Sequence, residues 1–160
     1  MLSDVAKLRE NLSCFLNTKD LEGARVAFLF ESGYNYVVSL FAIWALGGFA
    51  VPLCITHPIQ EMLYTVTDSD PSLLVASERF ESRVIELAAQ VEKESSKKLA
   101  VYIVPPHVSG AEDTSVGNLI NSPIAQPLRP ALMIYTSGTT GRPKASSLAS
   151  HLTVGGCIRT

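Results

Sequence analysis

Residues 136–144, Thr-Ser-Gly-Thr-Thr-Gly-Arg-Pro-Lys, gather the groups of this chain best suited to chemistry. Thr136, Ser137, Thr139 and Thr140 bring hydroxyls, Gly138 and Gly141 leave backbone N–H groups uncovered, and Lys144 closes the run with a cation. The run follows Ala131-Leu132-Met133-Ile134-Tyr135, an apolar stretch that reads as a buried strand. Unpartnered hydroxyls are costly in a core and glycines have nothing to pack there, so the chain leaves the core at Thr136. Converging N–H groups, hydroxyl donors and a lysine suit the oxygens of a phosphate. The bland alternative is a surface turn, for which Ser/Thr/Gly clusters are the usual signal. A Walker-type loop is ruled out by spacing: it needs two glycines five positions apart and a lysine directly after the second. Here Gly138 and Gly141 are closer, and Pro143 and Ala145 flank the lysine.

The elements that must position this loop can be read in order. Val5, Leu8, Leu12 and Phe15 recur at helical steps, with Ser3 placed to cap the start and Asn17 near the end. A short apolar run at 25–30 predicts a strand buried on both faces. Residues 34–46, with Val37, Val38, Phe41, Trp44 and Ala45, predict a helix apolar nearly all round, one that belongs in the middle of a layered structure. Trp44 and Tyr34 fit core packing better than ligand stacking. Gly47-Gly48 ends the helix and 49–53 is the next strand. Pro58 opens a third helix striped by Ile59, Met62, Leu63 and Val66, with His57 as a capping residue, and Asp68, Ser69, Asp70 and Pro71 turn the chain. A strand at 73–76, a charged surface helix at 78–98 and a strand at 99–104 follow. Lys97 and Lys98 suit the end of that helix dipole. Residues 105–130 hold five prolines and form a long loop.

Strand, helix and strand at this spacing make parallel βαβ units with right-handed crossovers, hence a layered α/β fold with a parallel sheet. Ligands in such sheets sit beyond the carboxyl ends of the strands, where the 136–141 loop falls.

The chain has 160 residues, is 47% apolar and carries a formal charge of −2, enough for one domain with a core. No basic block or aromatic–arginine interleaving points to nucleic acid. Cys14, Cys54 and Cys157 are odd in number and widely spaced, as expected of reduced thiols in an intracellular, cytoplasmic protein, with a mitochondrial or peroxisomal home left open. The stretch 32–56 has no charge and approaches the length of a membrane span, but Gly47-Gly48 and Pro52 interrupt it.

The run from Met133 through Lys144 resembles the phosphate-loop signature of the adenylate-forming (AMP-binding) superfamily, which includes acyl-CoA synthetases, luciferases and peptide-synthetase adenylation domains. The resemblance extends upstream through Gly23-Ala24-Arg25-Val26-Ala27, Gly47-Gly48-Phe49-Ala50-Val51-Pro52-Leu53, and His57-Pro58 with Glu61, Tyr64 and Asp68-Ser69. It is nearest the malonyl-CoA synthetase branch and covers residues 3–144. It implies the N-terminal part, incomplete, of the family's large domain over 1–144, with a divergent tail at 145–160. It also implies ATP, Mg2+ and coenzyme A as cofactors and a small carboxylic acid as substrate. Thr136, Ser137, Gly138, Thr139, Thr140, Gly141 and Lys144 would hold the ATP phosphates. After the lysine, Ala145-Ser146-Ser147-Leu148 stands where the family has a glycine and a β-branched strand, and Ser150-His151 comes one residue late. The adenine pocket, the Mg2+ and ribose carboxylates, the hinge and the lid lysine have no counterpart in these residues. The expectation is a truncated ligase, inactive by itself. The alternatives are a non-catalytic module that binds a full-length relative, a misfolded truncation product, or a single-span membrane protein.

Overall fold

The computed structural model describes residues 1–106, 130–136 and 144–149. Among them run α1 (Leu2–Leu16), β1 (Arg25–Leu29), α2 (Tyr34–Ala45), β2 (Phe49–Pro52), α3 (Ile59–Ser69) and β3 (Leu73–Ser77). A single 3-10 turn, Glu78–Phe80, leads into α4 (Glu81–Ser95); β4 (Ala100–Val104), β5 (Pro130–Thr136) and β6 (Lys144–Ala149) complete the set. The six strands form one sheet in the order β4-β3-β1-β2-β5-β6. Every neighbouring pair is parallel except β5 and β6, which are antiparallel.

Alternation along β1 explains the layers. Val26, Phe28 and Phe30 face α1 and α2 together with Leu8, Leu12, Ile43 and Leu46. Ala27 and Leu29 face α3 and α4 together with Met62, Val66, Val84 and Leu87. A strand apolar at every position therefore has both faces covered, as a central parallel strand requires. Each large side chain so buried contributes about 1.5–3 kcal/mol.

Several local expectations are corrected. Ser3 lies inside α1, whose N-cap is Met1 with no side-chain hydrogen bond. Phe15, on the predicted inner stripe, is exposed and sets its ring edge on Tyr102. His57 does not cap α3, which starts from Pro58 without a side-chain cap; its Nδ1 lies 3.4 Å from a Glu61 oxygen one turn on. Helix α4 stops at Ser95, because Ser96 takes a left-handed conformation (φ 55°) as its C-cap. Lys97 thus lies past the helix, and its ammonium binds the Asp70 carboxylate instead of the helix end. Ala145-Ser146-Ser147-Leu148 forms a strand despite its small polar residues, since the ladder with β5 supplies backbone partners that composition does not reveal. The outer side of α2 is not enclosed among the described residues: Tyr34, Val37 and Phe41 are exposed.

Asp70 confirms its reading as a turn residue and yields a pH prediction. It ends α3 in a left-handed conformation (φ 44°). The hydrogen bond from Lys97 chiefly holds its carboxyl below the usual range; burial opposes this slightly, and the charges of Lys97 and Arg25 assist. A carboxyl depressed in the folded state adds stability above its unfolded pKa, about 3.9, and that stability is lost as pH falls through the folded value. The expected result is that Asp70→Asn melts slightly below the native chain at pH 6, and that the gap closes on acidification below about pH 4. Melting temperatures from pH 6 to 2 check it; a gap that is constant to pH 2 would contradict the assignment. The effect is small because the pair is exposed.

Candidate functional site

All five parallel strands end at one edge of the sheet, and the helices that follow β1 and β2 leave to opposite faces. In open α/β sheets such a divergence marks the crevice, beyond the carboxyl ends of the strands, where ligands enter, and here it falls at β1 and β2. β5 lies directly beside β2, with Leu132 in register with Ala50. Four residues further along, Thr136 ends β5 and is exposed.

The two ends of the hydroxyl–glycine loop are fixed. Thr136 pairs with Lys144 as the last rung of the antiparallel β5–β6 ladder. Residues 137–143 therefore form a connection with both ends held side by side at the carboxyl edge. Of the residues expected to bind phosphate, Thr136 and the backbone of Lys144 are brought together. Ser137, Gly138, Thr139, Thr140 and Gly141 lie outside the described residues.

β5 is anchored from both faces. The Trp44 indole N–H donates to the Ala131 carbonyl at 2.6 Å on the α2 side. On the other side the Tyr135 hydroxyl donates to Asp68 at 2.6 Å. Burial, and then that bond to a carboxylate, push the Tyr135 phenol well above its ordinary value, so it stays a neutral donor at physiological pH. Trp44 thus combines partial burial with a structural hydrogen bond, in keeping with the packing role expected of it.

The crevice has its own polar groups. Glu31, just past β1, accepts a hydrogen bond from the Ser77 hydroxyl at 3.0 Å and lies 3.5 Å from Arg79. Its own backbone N–H, then Ser77 and Arg79, hold its carboxyl below the usual range against a small burial effect. After β2, the Cys54 sulfur lies 3.2 Å from the Thr56 hydroxyl. That hydroxyl first, then the Thr56 and His57 backbone, hold the thiol below its ordinary value. Arg83 of α4 donates to the carbonyls of Ile55, at 2.5 Å, and His57, pinning this segment. Neither Glu31 nor Arg83 stood out in the sequence. The one available signal for Arg83 was its place beside Val84 on the buried stripe of an otherwise charged helix.

A mostly parallel sheet with helices on both faces places the chain in the layered α/β class of proteins. The AMP-binding enzyme family matches residues 3–151, and the chain belongs to that family. Within it, the chain is similar to acyl-CoA synthetases of the malonate-activating branch. It is 37% identical to the mitochondrial malonate–CoA ligase of Mus musculus over 142 residues, 82% of this chain and 21% of the relative. It is 33% identical to the malonate–CoA ligase of Arabidopsis thaliana over 129 residues, 78% of this chain and 20% of that protein. Among solved structures, ATP-bound MatB from Rhodopseudomonas palustris superposes on 93% of the chain with a TM-score of 0.64 at 25% identity, using 29% of its own length. The chain therefore spans about a fifth of the curated relatives it matches. Among the described residues, no helix is long and apolar enough to cross a membrane.

Proposed function

We propose that this chain is the phosphate-holding N-terminal part of an acyl-CoA synthetase, acting inside the cell on a small carboxylic acid. In the proposed reaction a carboxylate oxygen attacks the α-phosphorus of ATP. The bond from that phosphorus to the bridging oxygen breaks, and pyrophosphate leaves. The thiolate of coenzyme A then attacks the acyl carbon, and AMP leaves with the electron pair of the acyl–oxygen bond. The observation that carries this reading is the Thr136–Lys144 rung, which closes a loop of hydroxyls and glycines at the ligand edge of a parallel sheet.

The residues of this chain would contribute placement and charge. Backbone N–H groups and hydroxyls of Thr136, Ser137, Gly138, Thr139, Thr140 and Gly141 would hold the β- and γ-phosphates. Lys144 would offset their charge, a pre-placed electrostatic role rather than a covalent one. Bound Mg2+ would screen the phosphates. Among the described residues no three His, Cys, Asp or Glu side chains come together as a metal site. Acyl transfer would need groups beyond this segment, and the chain by itself is expected to release no pyrophosphate from ATP and a carboxylic acid.

Titration with ATP by calorimetry tests the proposal. Lys144→Ala is expected to weaken binding about tenfold, the loss of roughly 1.4 kcal/mol of charge-assisted interaction. Asp70→Asn, at the opposite edge of the sheet, should leave affinity unchanged. Equal affinity of the Lys144→Ala and native chains, or no binding by either, would refute the phosphate-holding role. Steady pyrophosphate release by the native chain would refute its expected inactivity.

A further inference from the structure

The ladder between β5 and β6 settles how the two ends of the 137–143 loop face each other, but not where the hairpin stands against the rest of the sheet. β2 holds β5 by one registered pair, Ala50 with Leu132. Beyond Leu132 the strand runs on to Thr136 with no registered partner on the β2 side among the described residues. In that stretch Tyr135 packs on the α3/α4 layer, and its hydroxyl donates to Asp68 of α3 at 2.6 Å, across 67 positions of the chain. The Trp44 bond to the Ala131 carbonyl holds the opposite end of β5. Tyr135 directly precedes Thr136, so its bond sets the place of the residue from which the loop departs.

Asp68 is at odds with its own helix. It lies in the last turn of α3, which has no basic residue, and Asp70 follows as the C-cap. A carboxylate there opposes the helix macrodipole. Asp70 is offset by Arg25 and Lys97, but among the described residues no ion pair involves Asp68. A sequence breaks a local rule in this way where the residue serves something outside its own element, and what Asp68 holds is the Tyr135 phenol. We propose that Asp68 is a positioning residue of the candidate phosphate site: by holding Tyr135 it keeps Thr136, and with it the opening of the loop, at the carboxyl edge of the sheet. It touches no nucleotide and acts through Tyr135. The proposal rests on the phosphate-holding reading of the 136–144 run.

Calorimetric titration of the full chain with ATP and Mg2+ tests it, together with hydrogen exchange and thermal melting. Asp68→Ala and Tyr135→Phe should each weaken ATP binding at least about threefold, because apparent affinity falls with the fraction of molecules whose hairpin is docked. The double variant should bind about as weakly as the weaker single one, since both changes remove the same bond. Asp68→Asn keeps an acceptor oxygen within reach of the phenol and should recover most of the affinity lost in Asp68→Ala. Melting separates positioning from general stability: Asp68→Ala removes a charge that opposes the α3 dipole, so it should melt no lower than the native chain while binding ATP less well. Amides of residues 130–136 should exchange at least about threefold faster in Asp68→Ala, with those of 25–29 unchanged. A change in affinity of less than about threefold in Asp68→Ala overturns the proposal. So do additive losses in the double variant, equal losses in Asp68→Asn and Asp68→Ala, or a loss of affinity that follows a fall in melting temperature. A native chain that binds no ATP overturns the phosphate-holding reading and the positioning role with it, while the exchange rates still decide whether Asp68 holds β5 in place.

Discussion

Phe28→Ala is expected to lower the stability of the chain by about 3–5 kcal/mol, the largest effect of any single truncation proposed for it. Phe28 is fully buried in the middle of β1, the strand that has β3 on one side and β2 on the other. Its ring lies 5.0 Å from that of Tyr36 and 6.3 Å from that of Phe30, so truncation opens a void at the junction of the sheet and the α2 layer. The neighbours cannot close in, because β1 is held in register on both sides. Domains of this size are stable by roughly 5–15 kcal/mol, so the loss consumes a large part of the total. Urea unfolding followed by circular dichroism should show the midpoint falling steeply. Phe15→Ala, at an exposed position in α1, should shift it little. Comparable shifts for the two would mean that β1 is not the centre of the core.

Gly48→Val is expected to cost about 3 kcal/mol, at the upper end of overpacking effects, for a different reason. A Cβ at Gly48 would meet Leu21 Cδ1 at 2.8 Å, Ile43 Cγ2 at 2.9 Å and the Ile43 carbonyl oxygen at 3.1 Å. The side chains could rotate, but the carbonyl cannot yield: it accepts the Gly48 N–H at 2.9 Å and belongs to the last turn of α2. Valine adds two further carbons to that contact. The same turn is tied to the segment before β1, where Leu21 and Gly23 donate to the Leu46 and Gly47 carbonyls, each at 2.8 Å. A displaced Gly48 would therefore disturb the entries to both β1 and β2. Thermal melting of Gly48→Ala and Gly48→Val should show a graded loss; equal stability of native and valine variants would show that the turn can relax.

The parallel sheet was legible because its signals are local and dense. Apolar runs at 25–30, 49–53 and 73–76 alternate with helical stripes, and Gly47-Gly48 marks the end of α2 on its own. The order of the strands was not legible, because β4 and β5 lie at opposite sides of the β3-β1-β2 centre and no local pattern encodes that distance. β6 was missed because antiparallel pairing with β5 comes from backbone ladders, while Ser146 and Ser147 carry no strand signature. The phosphate-holding role of the 136–144 run is proposed from residue types alone, since hydroxyls, backbone N–H groups and lysine each have a defined capacity to donate, and the structure places only its two ends, Thr136 and Lys144. The polar groups around it could not be read in that way. Glu31 meets Ser77 and Arg83 meets Ile55 only once the crossovers through α2 and α3 have brought separate segments to one edge.

The β5–β6 ladder has six registered pairs, whereas β5 is joined to β2 by one, supplemented by the Trp44 and Tyr135 hydrogen bonds. The weak seam of the sheet thus runs between β2 and β5, and not within the hairpin. Force applied to the sheet would part β2 from β5 before it parted β5 from β6, so Thr136 and Lys144 would stay paired while their strands left the centre.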